Sequence, residues 1–326
     1  MGVTIKDVAR AANVSTATVS RVLANKEGSY REETAQKVRQ IAAEMGYHRN
    51  VSAAELAANE IKTIAIILNN TKTHFWQDVL DGIQDGIQAH HRNSIIFYAG
   101  DNDSAMLTQA INSALARSVS GILLVAAKAS HDQLQLLDKS GIPYRFVSIY
   151  GEHNDSSKFI SSDNIEIGQV ATQYLLQHGH RRIGLVGIDN SPTGHQRLLG
   201  YEKAMLSANQ VIEPHWIQYG DYSLASAQAA FATIQRLHLT AIVAASDLVG
   251  AGLIKAAHTA GLKLPDDLSI ISIDGTFICD ITVPQMTSVT QDFYLMGKTS
   301  VENLIQTNGS QFIPVAITAR ESVTTI

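Results

Sequence analysis

The chain has 326 residues, 45% hydrophobic and 17% charged, a composition that suits a globular protein with more than one core and excludes a charge-rich disordered chain. Its longest apolar runs, such as Ile64-Ala-Ile-Ile-Leu68, fall far short of a membrane span, and the polar start from Met1 to Asp7 lacks a signal-peptide pattern. Cys279 alone permits no internal disulfide and no cysteine metal site, so a cytoplasmic protein without cofactors is expected.

The net charge of −5 opposes nucleic-acid binding until it is divided along the chain. Residues 1 to 62 carry nine Lys plus Arg against seven Asp plus Glu, and the remainder 16 against 23, so only the front suits phosphate. There, residues 4 to 23 read as two short helices around a tight turn. Thr4 can cap the first with Asp7, and Val8, Ala9 and Ala12 form its apolar stripe. Asn13 tolerates the left-handed conformation that ends a helix, and Ser15 is placed to cap the next from Thr16. Val19, Val22 and Leu23 fall on one side of that second helix, and Thr16, Ala17, Ser20 and Arg21 on the other. The pattern is a helix-turn-helix, whose second helix meets base edges in the major groove and whose Arg can pair bidentately with guanine, or an ordinary helical hairpin.

A third helix is expected over 32 to 45, with Thr34, Val38, Ile41 and Met45 inward, Gly46 at its end and Tyr47 folding back on the small core. Residues 50 to 59 contain good helix formers but too little apolar surface to be a stable helix alone. They order only in company, or serve as a linker. Leu56 is the one large apolar side chain after Val51.

From Ile61 apolar runs alternate with amphipathic helices. Strands are expected at 63–68, 94–98, 121–126, 144–149, 183–188, 216–219, 240–245 and 269–273, with helices at 76–89, 105–117, 131–140, 167–178, 196–208, 224–236 and 249–260. Continuously apolar strands joined by helices imply parallel sheets covered on both faces, so the expected fold class is α/β, an all-α head followed by two doubly wound subdomains with a small molecule in the cleft between them. His178 and His180, flanking Gly179, read as a solvated helix end rather than a metal site. Catalytic machinery is missing: no Gly-x-Ser-x-Gly elbow, no Gly-x-Gly-x-x-Gly after a strand. Gly297-Lys-Thr299 is no phosphate loop, because Asp292 stands where the first glycine is required and Leu295-Met296 point to a helix.

These motifs together resemble the lactose/galactose repressor family of bacterial transcription regulators. The head matches in Thr4-Ile-Lys-Asp-Val-Ala, in the run from Val14 through Arg21 to Leu23, and in Met45-Gly-Tyr47. The body matches in Gly179-His180, Arg197-Leu-Leu-Gly-Tyr201, Ser246-Asp247 and Ser272-Ile-Asp274-Gly. The resemblance implies a homodimer on a palindromic operator, a core similar to periplasmic sugar-binding proteins, and a repressor of carbohydrate-use genes controlled by a small sugar. A sugar-binding protein without a DNA role is the alternative. The head would span 1–49, a hinge helix or linker 50–60, and the core 61–326, with a first subdomain of 61–162 and 292–320 and a second of 163–291 and 321–326.

The DNA-contacting positions implied are Thr4, Ser15, Thr16, Ala17, Thr18, Ser20, Arg21, Asn25, Tyr47, Asn50, Ala53 and Leu56, the last a minor-groove wedge. The family usually carries Ala-Arg where this chain has Ala53-Ala54, which removes one minor-groove or phosphate contact. The effector set implied is Arg197 and Asp274, with Tyr222 stacking on the ligand, Asp247, Asp163 and Thr193 as further polar contacts, and Phe75 or Trp76 as a wall. The stretch from Glu321 to Ile326 offers no leucine heptads, so a dimer rather than a coiled-coil tetramer is expected.

Overall fold

The computed structural model describes residues 2–25, 29–48, 61–70, 73, 75–100, 103–149 and 158–326. Asn50, Ala53 and Leu56, with the whole expected hinge, lie outside them. The chain divides into two compact units at Ile61 and Lys62.

The first unit holds α1 (Ile5–Ala12), α2 (Thr16–Leu23) and α3 (Glu32–Glu44). Val8, Ala9 and Ala12 of α1 meet Val19 and Val22 of α2 and Ala35, Val38 and Ala42 of α3 in one small core, with Tyr47 packed against it. Asn13 has φ 54°, the left-handed stop expected. The Ser15 hydroxyl accepts from the Thr18 amide at 3.1 Å and caps α2. At the start of α1 the expected capping box of Thr4 with Asp7 forms: the Asp7 carboxylate reaches back over the first turn and accepts from the Thr4 amide (3.0 Å) and hydroxyl (2.6 Å). Those bonds hold the Asp7 carboxyl below its ordinary range.

The second unit contains two six-stranded sheets. The first sheet has the order β11-β5-β4-β3-β1-β2, built from β1 (Thr63–Leu68), β2 (Asn93–Tyr98), β3 (Gly121–Val125), β4 (Tyr144–Val147), β5 (Phe159–Ser161) and β11 (Gln311–Phe312). The second has the order β12-β10-β9-β8-β6-β7, built from β6 (Ile183–Ile188), β7 (Ile217–Tyr219), β8 (Ala241–Ala244), β9 (Ser269–Asp274), β10 (Thr287–Gln291) and β12 (Val315–Thr318). Pairing is parallel throughout except for β10 with β12. Strands β1, β3, β6, β8 and β9 are buried along almost their whole length, which is why they read as continuous apolar runs.

The return segment differs from the expected 292–320. The helix Phe293–Gln306 packs on the helix Trp76–Ala89, and β11 joins β5, but β12 crosses to pair with β10 of the second sheet. Four consecutive partners, Val315 to Thr318 against Gln291 to Ser288, fix that crossing. The Gly-Lys-Thr fragment lies within the helix Phe293–Gln306, where Gly297 has no room for a side chain against the Val79 carbonyl and Gly82 none against that of Tyr294. His180 is buried rather than solvated: its ring bonds the Thr240 hydroxyl (3.1 Å) and the Thr324 carbonyl (3.0 Å), tying the segments before β6 and β8 to the C-terminal segment. Burial lowers its pKa.

Candidate functional site

In the first unit, α2 leaves Thr16, Ala17 and Arg21 exposed while Val19 and Val22 are sealed below. Ser20 and Thr18 are half-buried, and Thr18 also pairs its hydroxyl with that of Ser15 at 2.9 Å. Asn25, at φ 49°, ends the second helical segment and accepts from Arg39 at 3.3 Å. The outcome is a short convex ridge with one guanidinium on it, the shape and chemistry that a major groove admits.

In the second unit, a cavity of about 410 Å³ is lined from both sheets. Ends of parallel strands and the loops after them supply its walls: Asn69 and Asn70 after β1, Ala126 and Lys128 after β3, Ser148 and Ile149 after β4, Asp189, Ser191, Pro192 and Thr193 after β6, Asp221 and Tyr222 after β7, Asp274 ending β9, and Gln291 ending β10. Phe75 and Phe293 stack at 4.7 Å with their planes 21° apart, forming an aromatic wall.

Arg197 is the polar centre. Its Nε donates to Asn164 Oδ1 at 3.0 Å, Nη1 to the Ala245 carbonyl at 2.6 Å, and Nη2 lies 3.6 Å from Asp274 Oδ1. Its guanidinium carbon sits 5.8 Å from the Tyr222 ring centroid. Gln291 also donates to Asp274, at 2.9 Å. Burial raises the Asp274 carboxyl to about 7 although the Arg197 charge opposes the shift, and burial pushes the Tyr222 phenol up to about 12. The Ser148 and Tyr222 hydroxyls, both on lining residues, make no hydrogen bond of ordinary geometry.

Backbone strain gathers here. Ala126 (φ 52°), Ser148 (φ 70°), Tyr222 (φ 61°) and Asp274 (φ 115°) all line the cavity, whereas, among the described residues, the other non-glycine positions of positive φ close helical segments. Left-handed non-glycine residues cost of order 1–3 kcal/mol each, held by the surrounding fold.

Of the expected effector residues, Phe75, Thr193, Arg197, Tyr222 and Asp274 line this cavity. Trp76, Asp163 and Asp247 do not. Trp76 packs against the first sheet's core. Asp163 caps the helix Asn164–Gln177 by accepting from the Ile165 and Glu166 amides. Asp247 lies behind the site, where it accepts from the Ser272 hydroxyl (2.6 Å) and the Thr276 amide (2.6 Å) and hydroxyl (2.8 Å) and so clamps the turn that follows Asp274. Asn69, Ser148, Asp189 and Asp221 had no sequence pattern to single them out beyond lying at the end of an expected strand, and Gln291 ends the polar strand β10, which no apolar run announces. Among the described residues no cluster of His, Cys, Asp and Glu is arranged to hold a metal ion, and no helix is long and apolar enough to cross a membrane.

Residues 4–50 match the family model described as bacterial regulatory proteins, lacI family, and residues 172–323 match a periplasmic binding protein-like domain. The catabolite control protein A of Staphylococcus xylosus is 31% identical over 91% of this chain and 90% of its own length. Among solved structures, a transcription regulator from Lactobacillus plantarum is 41% identical, with TM-score 0.73, over 81% of this chain and all of that one. A complex of the transcriptional regulator CelR with cellobiose is 25% identical, with TM-score 0.74, over 98% of this chain and 99% of that one.

Proposed function

Because the chain belongs to the LacI family of bacterial regulatory proteins, we propose that it is a cytoplasmic homodimeric repressor of carbohydrate-use genes, switched on its palindromic operator by a sugar bound between the two sheets. DNA-binding regulation comes with the family; the sugar, the operon and the residues in contact are the reading. One observation carries it: a cavity that combines a stacked Phe75–Phe293 wall with a buried Arg197–Asp274 pair, the apolar and bidentate polar surfaces that a sugar ring presents in complement. The cavity is read as a binding site without turnover, since Asp274 is held by both Arg197 and Gln291.

On DNA, Thr16, Ala17 and Arg21 read base edges, and Thr4, Ser15, Thr18, Ser20, Asn25 and Tyr47 position the head on the backbone. Asn50, Ala53 and Leu56 are proposed to reach the minor groove, with Leu56 as the wedge. The test is to select palindromic duplexes from a random library with the full-length protein, then to titrate cellobiose, sucrose, glucose and ribose against the best duplex. Release or tightening by one of them is expected; a selected duplex indifferent to all carbohydrates would refute the effector half of the reading.

A further inference from the structure

The two helix N-termini that border the cavity on the second-sheet side share one local motif. Asp189-Asn-Ser191 precedes the helix Pro192–Ser207, and Asp221-Tyr-Ser223 precedes the helix Leu224–Ile234. In each, the serine hydroxyl accepts from the amide three residues on, Gly194 at 3.2 Å and Ser226 at 3.1 Å. In each, the aspartate two residues earlier accepts from the serine amide, at 3.0 Å for Asp189 and 3.2 Å for Asp221, and also from the serine hydroxyl. Helix N-termini are natural seats for phosphate, because free amides and the helix dipole both favour negative charge. Here a carboxylate of the chain sits just before each helix, bonded to its N-cap serine, and both carboxylates line the cavity.

The cationic groups lead to the same result. Arg197 commits three of its N–H directions to Asn164, the Ala245 carbonyl and Asp274, so its charge is matched within the protein and its remaining donors suit a hydroxyl. Among the described residues, Lys128 is the other cationic lining residue, and it is exposed, where its field is screened. Against these two stand, among the described lining residues, Asp189, Asp221 and Asp274. An incoming phosphate would face carboxylates at both helix ends, and like charges brought together repel and suppress the wrong partner.

We infer that the effector is an uncharged, polyhydroxylated carbohydrate, and that Asp189 and Asp221 exclude phosphorylated sugars from the cleft. This rests on the sugar-effector reading above and adds the discrimination. A cell that takes up sugars in both free and phosphorylated form would thereby have its operator report the free form alone.

The experiment is calorimetry on the full-length protein at mildly alkaline pH, where Asp274 is ionised, with cellobiose, sucrose, glucose and ribose each titrated beside its phosphate monoester, and with inorganic phosphate alone. The same titrations follow with Asp189→Asn/Asp221→Asn, in which asparagine retains an oxygen to accept the serine amides. A free sugar binding at least about tenfold more tightly than its ester, with the gap narrowing in the double variant, is expected. An ester that binds as well as its parent sugar, or a gap unchanged by removing both charges, overturns the inference while leaving the sugar reading intact. Binding of no carbohydrate in either form overturns the sugar reading itself, and the inference with it.

Discussion

At the residue scale, Arg197 and Asp274 have to be considered as a pair. Arg197→Ala removes the donors to Asn164 and Ala245 and leaves a buried carboxylate facing no cation, which should destabilise the core by about 3–5 kcal/mol as well as weaken sugar binding about ten- to a hundredfold. Arg197→Ala/Asp274→Asn should recover stability in denaturant unfolding but not sugar affinity; recovery of both would place the pair outside the site. Asp274 also sets a pH dependence. Its folded carboxyl, at about 7, lies above its ordinary value of 3.8, so the folded state holds the proton more firmly, and stability falls as pH rises from about 4 to about 7. Asp274→Asn should flatten that decline, an effect on the order of a few kcal/mol, in urea melts across this range. Arg197 and Asp274, flagged by their motifs, line the cavity, as do Tyr222 and Thr193, named through the resemblance, and Phe75, named for following the first core strand. Ala126 and Ser148 were not singled out, because a left-handed backbone on alanine or serine, unlike that on Asn13, leaves no trace in sequence.

At the element scale, α2 shows how much a cap decides. Ser15→Ala leaves the Thr18 amide without its acceptor and should cost the head about 1 kcal/mol, seen as faster amide exchange in α1 to α3 with the core unchanged. The crossing of the helices Trp76–Ala89 and Phe293–Gln306 depends on two glycines, each pressed on a carbonyl of the other helix. Gly82→Ala should destabilise the core by about 1–3 kcal/mol in denaturant melts, since a methyl there meets rigid backbone rather than a movable side chain. The apolar strands were readable because both faces are buried. Strand β10, Thr287-Ser-Val-Thr-Gln291, escaped, since its burial is satisfied by hydroxyl hydrogen bonds such as Ser288 to Thr290 (3.0 Å) and Thr290 to Thr318 (2.7 Å) rather than by apolar side chains. The same polar texture hid the crossing of β12 to the second sheet, whose partner is β10.

At the scale of the whole molecule, the proposed regulation couples a basic head to an acidic core through a ligand-dependent equilibrium. Phe277, Ile281 and Val283, 63%, 69% and 75% exposed, lie close together in sequence, a density of bare apolar groups that a soluble monomer seldom leaves uncovered. Ile281→Glu should therefore raise the monomer fraction in sedimentation equilibrium and weaken operator binding in parallel. Sugar in the cleft is expected to alter the head's hold on DNA, and the test is fluorescence anisotropy of the selected duplex, with wild type and Arg197→Ala/Asp274→Asn each titrated with and without the sugar identified by calorimetry. Sugar should shift operator affinity by about 5- to 150-fold in the wild type, and the double variant should bind the same duplex with unchanged sugar-free affinity but show no shift at that sugar concentration. An operator affinity indifferent to saturating sugar in the wild type, or a shift of equal size in the double variant, would contradict it.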